Sequence, residues 1–346
     1  MNDYAPCLLM NIRMWGAAVT RMPKVTNEEW ATLDVVSRWL IASRAAVLWL
    51  TLGSSLLAGG LAMRDGKFNL RLWIATTLGL LFAHATNNFV NDATDHWKGT
   101  DKGDYVRSLY GVQPLEQGVM TKSVFAIYTA IPAVIALACA AYLLHERAGL
   151  VLRLFGAGIF FVVFYTYPLK YYGLGELAVI LVWGPLMVGG GYYVVTGEWS
   201  WMVALIGTVY ALGPTQVIFG KHIDKLQADT GKHIFTLPVI IGERAAKMGV
   251  LSVMTFQYLC VVALVVAHQL SAAFLLVFAS AGTFFQCWRV YTSPRPKSKP
   301  RSQMAIMWPI WLAAWSFLHS MRFGLFFLIG LGLELVYPQI RAWHPW

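Results

Sequence analysis

Charge is scarce in this chain. Asp, Glu, Lys and Arg make up 13% of its 346 residues, while 58% are hydrophobic. Soluble domains carry about 25% charged and 45–50% apolar residues, so a soluble globular protein is excluded. Cysteine is nearly missing. Cys7, Cys139, Cys260 and Cys287 share no short spacing, which leaves neither a zinc site nor a disulfide framework; they read as packing residues. Acids are outnumbered, 17 against 27 Lys and Arg, giving a net charge of +10. A cleavable signal peptide is not evident, because residues 1–36 carry Arg13, Arg21, Lys24 and scattered acids around no clean apolar core.

What fills the chain instead is long apolar runs. A membrane-spanning helix needs roughly 20 mostly apolar residues, and that ruler marks spans at 39–63, 70–91, 123–144, 149–168, 175–196, 199–219, 246–268, 270–291 and 309–336. The expected fold is an all-α polytopic membrane protein, a bundle of about nine transmembrane helices around a cytoplasm-facing central cavity. A cytoplasmic segment 1–37 precedes a membrane domain 38–336, and a short tail 337–346 follows. The stretch 304–319 (MAIMWPIWLAAWSFLH) reads as part of the last span or as a separate interfacial or re-entrant piece.

Basic residues set the expected orientation. The turns after spans 2, 6 and 8 hold Lys98, Lys102, Arg107 and Lys122, then Lys221, Lys225, Lys232, Arg244 and Lys247, then Arg295, Lys297, Lys299 and Arg301. Lys170 follows span 4. The opposite turns are nearly bare apart from Arg64, Lys67, Arg71 and Arg147. This places the even-numbered helix ends in the cytoplasm, in an inner or cytoplasmic membrane. The positive charge is thus mostly a topology signal. It gives no reason to expect nucleic acid, though a basic face also attracts anionic substrates.

The acids are unevenly placed. The run 87-NNFVNDATDHWKGTD-101 closes an apolar span with Asp92, Asp95 and Asp101, and 220-GKHIDKLQADTGKHIFTLPVIIGE-243 closes another with Asp224 and Asp229. Ionised groups at a lipid-embedded helix are expensive and mark function. If the second span stays helical through the run, Asn88, Asp92 and Asp95 share a face and Asn91 lies one turn from Asp95. An oxygen-only face suits a hard cation such as Mg²⁺, which completes its shell with water and substrate phosphate. Mg²⁺ holding a diphosphate is one reading. The other is that Asx residues cap helices and open turns, within loops that are simply solvated. Asp104, Glu116, Glu146 and Glu198 fit that second reading, and His84 fits a packing role.

With those motifs in view, the chain resembles the UbiA superfamily of intramembrane aromatic prenyltransferases, over residues 38–335. The pattern N-x-x-N-D-x-x-D-x-x-x-G-x-D, met by Asn88, Asn91, Asp92, Asp95, Gly99 and Asp101, is similar to the branch that makes demethylmenaquinone from 1,4-dihydroxy-2-naphthoate. So is 189-GGGYYVVTG-197. The run 165-YTYPLKYYGLGE-176 resembles the family's Tyr-Pro-x-x-Lys loop through Tyr167, Pro168 and Lys170, and Thr236, Leu237, Pro238 and Gly242 match its T-L-P…G ending. One departure stands out. The family's second motif spaces two aspartates four apart, but the residue four before Asp229 is Lys225, and Asp224 lies five before. Five residues turn an ideal helix about 140° off one face, so Asp224 joins the set only if a loosened turn or π-bulge intervenes.

The resemblance implies Mg²⁺-dependent attack of an electron-rich ring on an allylic polyprenyl diphosphate within the lipid bilayer. It assigns Asn88, Asn91, Asp92, Asp95, Asp224 and Asp229 to the metal. Asp92, Asp95, Asp229 and Lys170 would carry catalysis, and Lys170, Lys232, Arg107, Lys225 and Tyr167 would receive the diphosphate end. Tyr165, Tyr167 or Tyr171 could face the allylic cation, or serve as packing residues or interfacial anchors. The general base is open between Asp95 and a metal-bound group. The acceptor is open as well: homogentisate, 4-hydroxybenzoate, a chlorophyllide, a haem, a carotenoid, a glycerol phosphate and a phosphoribosyl group stand beside the naphthoate. A secondary transporter is the rival from another class, favoured by Gly189, Gly190 and Gly191 interrupting a span.

Overall fold

The computed structural model describes residues 10–100, 111–302 and 308–339, and every regular element among them is helical. Among the described residues eight helices are long and apolar enough to cross a membrane: 45–64, 122–146, 150–172, 175–196, 201–224, 243–266, 272–292 and 311–336. The helix that carries the first acidic run, Leu70–Trp97, has 28 residues. It has the length to span, but its threonines, histidine and asparagines dilute its apolar character.

Three short helices come first: α1 (Ile12–Thr20), α2 (Asn27–Thr32) and α3 (Val35–Ala42). Thr26 and Glu29 form a capping box on α2. Asp34 caps α3 through the Ser37 amide at 2.9 Å and accepts the Trp15 indole N–H at 3.0 Å, tying α1 to α3. These helices pack on the acidic end of α5 (Leu70–Trp97), where Trp30, Leu33 and Ile41 join Phe89 and Phe125 in one buried cluster.

The first span is shorter than the apolar run 39–63 implies. Arg44 takes a left-handed conformation, φ 56°, which ends α3 and turns the chain into a short 3₁₀ segment and then α4 (Leu48–Arg64). The remaining elements of the bundle are α6 (Lys122–Glu146), α7 (Leu150–Phe164), α8 (Gly175–Leu181), α9 (Gly190–Thr196), α10 (Trp201–Asp224), α13 (Glu243–Val266), α14 (Ala281–Thr292) and α15 (Trp311–Val336). Between α10 and α13 lie the short α11 (Leu226–Gly231) and α12 (Leu237–Ile241). Residues 303–307 lie outside the described residues, and α15 runs unbroken from Trp311.

Leu57, Leu61, Val188, Ile206, Val261, Phe274, Phe323 and Phe327 form the main core. A polar chain threads it: the Gln216 amide donates to Gln257 Oε1 at 2.7 Å, His319 Nδ1 pairs with Gln216 Oε1 at 2.9 Å, and Tyr258 reaches His319 Nε2 at 3.1 Å. Interhelical hydrogen bonds of this kind hold membrane bundles together where the hydrophobic effect cannot. The glycine run at 189–191 is not a break. It joins a π-helical stretch, Val182–Gly189, to α9. A Cβ on Gly191 would stand 3.2 Å from Ala58 Cβ, and one on Gly189 3.1 Å from Ala204 Cβ. The glycines let helices approach closely, which removes the feature that favoured transport.

Candidate active site

α5 stays helical through the acidic run to Trp97, so Asn88, Asn91, Asp92 and Asp95 face inward together and line a cavity of about 720 Å³. Arg44, Lys170, Lys221 and Lys225 line it too. Apolar side chains such as Leu80, Phe155, Phe161 and Leu186 make most of the remaining wall. One end is thus charged and the rest is suited to a hydrocarbon.

Each acid of α5 meets a cation. Arg44 Nη2 pairs with Asp92 Oδ1, and both guanidinium ends donate to Asn91 Oδ1 at 3.2 Å. The Asn91 amide then donates to Thr166 Oγ1 at 2.8 Å, and the Asn88 amide donates to the Ser43 carbonyl at 2.8 Å. Lys170 Nζ sits 2.9 and 3.0 Å from the two oxygens of Asp95. The Tyr-Pro-x-x-Lys stretch is not an open loop. Tyr165–Leu169 form a single π-helical turn in which Tyr167 is extended, and a 3₁₀ turn then buries Lys170.

The second acidic turn meets the first. Asp229 is 1% exposed, with Lys225 Nζ 3.5 Å from its Oδ1. Asp229 also acts electrostatically on Lys170, and Lys225 and Lys221 act on Asp95. Lys232 closes the junction by donating to the carbonyls of Gly99, at 3.4 Å, and Thr100. Turns some 130 residues apart are therefore stitched into one charged cluster.

Three expected site residues stand elsewhere. Asp224 is engaged elsewhere: its Oδ2 accepts the Ala313 amide at 2.9 Å, in the first turn of α15, and Arg295 lies 3.6 Å from its Oδ1. The five-residue spacing is resolved by a break at Lys225 between α10 and α11, with no π-bulge, and the carboxylate caps a neighbouring helix. Tyr167 is 41% exposed with Lys98 Nζ 3.5 Å over its ring, and it does not line the cavity, whereas Tyr165 does. Lys232 bridges the two turns and, like Asp229, does not itself line the cavity. Arg107, with Asp101 and Asp104, lies outside the described residues.

Two groups were missed. Arg44 sits within the apolar run 39–63, and an arginine inside a span is itself a signal of function. The pair of His222 on α10 and Glu176 on α8, 2.7 Å apart at Nδ1 and Oε1, has no regular sequence spacing to betray it.

The residues fit a hard cation. The donors are all oxygens, and Asp92 Oδ2 is buried without a hydrogen-bond partner. Asn88 and Asn91 add neutral carbonyl oxygens on the same face. No three His, Cys, Asp or Glu side chains converge among the described residues, so an ion held here would draw the rest of its shell from asparagine oxygens, water and phosphate.

Comparisons with known proteins give the family. The model of the UbiA prenyltransferase family matches residues 47–309. A 1,4-dihydroxy-2-naphthoate octaprenyltransferase of Escherichia coli is 29% identical over 60% of this chain and 70% of its own length. A protein of the same name from Haemophilus influenzae is 26% identical over 90% of this chain and all of its own. A solved UbiA homolog from Archaeoglobus fulgidus, bound to GPP and Mg²⁺, shares the fold with a TM-score of 0.56 and 14% identity, over 84% of this chain and 99% of that one. The chain belongs to the UbiA prenyltransferase family, and it is a multi-pass membrane enzyme that transfers a prenyl group.

Proposed function

We propose that this enzyme transfers a polyprenyl group from an allylic diphosphate to 1,4-dihydroxy-2-naphthoate in menaquinone biosynthesis, with its charged cavity mouth facing the cytoplasm. The single observation that carries the site assignment is the meeting of Asp95 and Asp229 around Lys170 and Lys225. The acceptor follows from the relatives named for that naphthoate and from the N-x-x-N-D-x-x-D pattern. The basic turns at the acidic helix ends support the orientation.

Asn88, Asn91, Asp92, Asp95 and Asp229 would hold Mg²⁺, which supplies positive charge against the diphosphate when bound. The chain's own cations do related work. Arg44, Lys170, Lys221 and Lys225 line the charged end and are placed to donate to diphosphate oxygens, stabilising the charge that develops as the allylic carbon–oxygen bond breaks. In the structure three of them rest on carboxylates, Arg44 on Asp92, Lys170 on Asp95 and Lys225 on Asp229. The acids thereby keep the cations buried and aimed, and exchange partners when the anionic substrate arrives. The apolar walls take the prenyl tail and keep water from the allylic cation, for which the Tyr165 ring offers a π-face.

Membranes containing the protein, given Mg²⁺ and geranylgeranyl diphosphate, test the reading. Diphosphate release that depends on 1,4-dihydroxy-2-naphthoate is expected. Release with homogentisate or 4-hydroxybenzoate in its place would move the acceptor and keep the site. No release with any acceptor would overturn the assignment.

A further inference from the structure

The cavity wall contains a buried acid–imidazole pair that diphosphate binding leaves unused. His222 is 2% exposed and Glu176 4%, and His222 Nδ1 lies 2.7 Å from Glu176 Oε1. An ionised carboxylate only accepts hydrogen bonds. The carboxylate offers an acceptor for a proton on Nδ1, and in that arrangement Nε2 keeps its lone pair. The ring lines the cavity, and Nε2 makes no hydrogen bond among the described residues.

The pair stands at the reacting end. A Cβ on Gly175 would lie 3.3 Å from His222 Cε1 and 3.7 Å from Lys170 Cα, so the imidazole neighbours the lysine that holds Asp95. Tyr165, which also lines the cavity, is within electrostatic reach of both Glu176 and Asp95. Packing alone does not call for such a pair, since apolar residues of equal volume fill a bundle without the cost of desolvating ionisable groups.

We propose that His222, oriented by Glu176, is the catalytic base that takes the hydroxyl proton of the aromatic acceptor. This deepens the prenyl-transfer reading and rests on its acceptor being a hydroxylated ring. The acceptor O–H bond breaks, the proton goes to Nε2, and the electron pair stays on oxygen to feed the ring. A ring carbon then bonds to the allylic carbon while the carbon–oxygen bond to the diphosphate breaks, its pair leaving with the diphosphate. The imidazolium, held by the Glu176 anion, returns its proton to the oxygen as the alkylated ring carbon releases its own proton to solvent. The division of labour is physical: Arg44 and the lysines serve the leaving group, and the uncharged imidazole serves the nucleophile from the same end.

The test uses the full-length enzyme with Mg²⁺, geranylgeranyl diphosphate and 1,4-dihydroxy-2-naphthoate, together with ring-fluorinated analogues of graded hydroxyl acidity. His222→Asn keeps a donor for Glu176 but has no basic nitrogen. It should lower kcat by about 10²-fold, leave KM for the diphosphate within about threefold, and lose less against wild type as the acceptor hydroxyl becomes more acidic. Glu176→Gln should show the same trend on a smaller scale, and it carries the test if His222→Asn does not fold. Folded variants with kcat near wild type, or a penalty that is uniform across the acidity series, overturn the base. A wild type inert on every hydroxylated ring but active on a non-aromatic acceptor overturns the acceptor reading and the base with it, a pattern distinct from the first.

Discussion

Lys170 Nζ lies within 3.0 Å of both carboxylate oxygens of Asp95, with both residues buried. Removing one partner of such a pair leaves an uncompensated buried charge, which costs about 3–5 kcal/mol. Lys170→Met is therefore expected to lower the thermal stability of the detergent-solubilised enzyme as well as its turnover. Lys170→Met combined with Asp95→Asn removes both charges and should recover most of the stability, measured by unfolding temperature, while turnover stays lost. Recovery of turnover in the double variant would separate the pair from the chemistry.

Arg44 holds Asp92 and Asn91 together from a left-handed backbone position. A lysine reaches one oxygen as a point charge and cannot fork across both residues. Arg44→Lys should fall in kcat/KM by about 10²-fold, the scale at which small misplacements act. Activity assays against geranylgeranyl diphosphate check this, and a loss of less than about threefold would demote Arg44 to a packing role.

The two aspartates of the second turn should behave differently. Asp224→Asn keeps an acceptor for the Ala313 amide and is expected to stay within about threefold of wild-type kcat. Asp224→Ala loses the cap and costs about 1 kcal/mol of stability. Asp229→Asn should lower kcat by about 10²–10³-fold, as losing one preorganised electrostatic partner does. Equal kinetic losses at both positions would return Asp224 to the site.

Much of this was legible in the residues. The apolar runs located the spans because nothing but lipid burial explains them. The Asn88–Asp95 spacing announced an inward face because α5 stays helical to Trp97. What escaped was set by contacts distant in sequence. Arg44 looked like part of a span, since its left-handed turn serves a pairing with Asp92, 48 residues away. Asp224 joined the metal set only provisionally, and the partner it has in the fold, the first turn of α15, lies 89 residues on. His222 and Glu176, 46 residues apart, meet only through the packing of α8 on α10.

Acid should loosen the N-terminal helices before it reaches the bundle. Burial pushes the Asp34 carboxyl up, but hydrogen bonds from the Ser37 hydroxyl and amide, the Trp15 indole and the Asn11 amide outweigh it and hold the group at about 2. An aspartate in an unfolded chain titrates near about 3.9. The folded value is the lower one, so the stabilisation is fully present above about pH 3.9 and disappears as pH falls through about 2. Unfolding temperatures of wild type and Asp34→Asn should converge over that window. Curves that stay parallel down to pH 2 would contradict the assignment.

The central claim is that acids from two distant turns act on one diphosphate. A double-mutant cycle tests it most directly, using Asp95→Asn, Asp229→Asn and both together, with the Kd of non-hydrolysable geranylgeranyl thiodiphosphate measured in Mg²⁺. Shared action predicts a coupling energy of about 1 kcal/mol or more, the range seen for residues with a common partner. Losses that add to within about 0.3 kcal/mol would show two independent sites and contradict it.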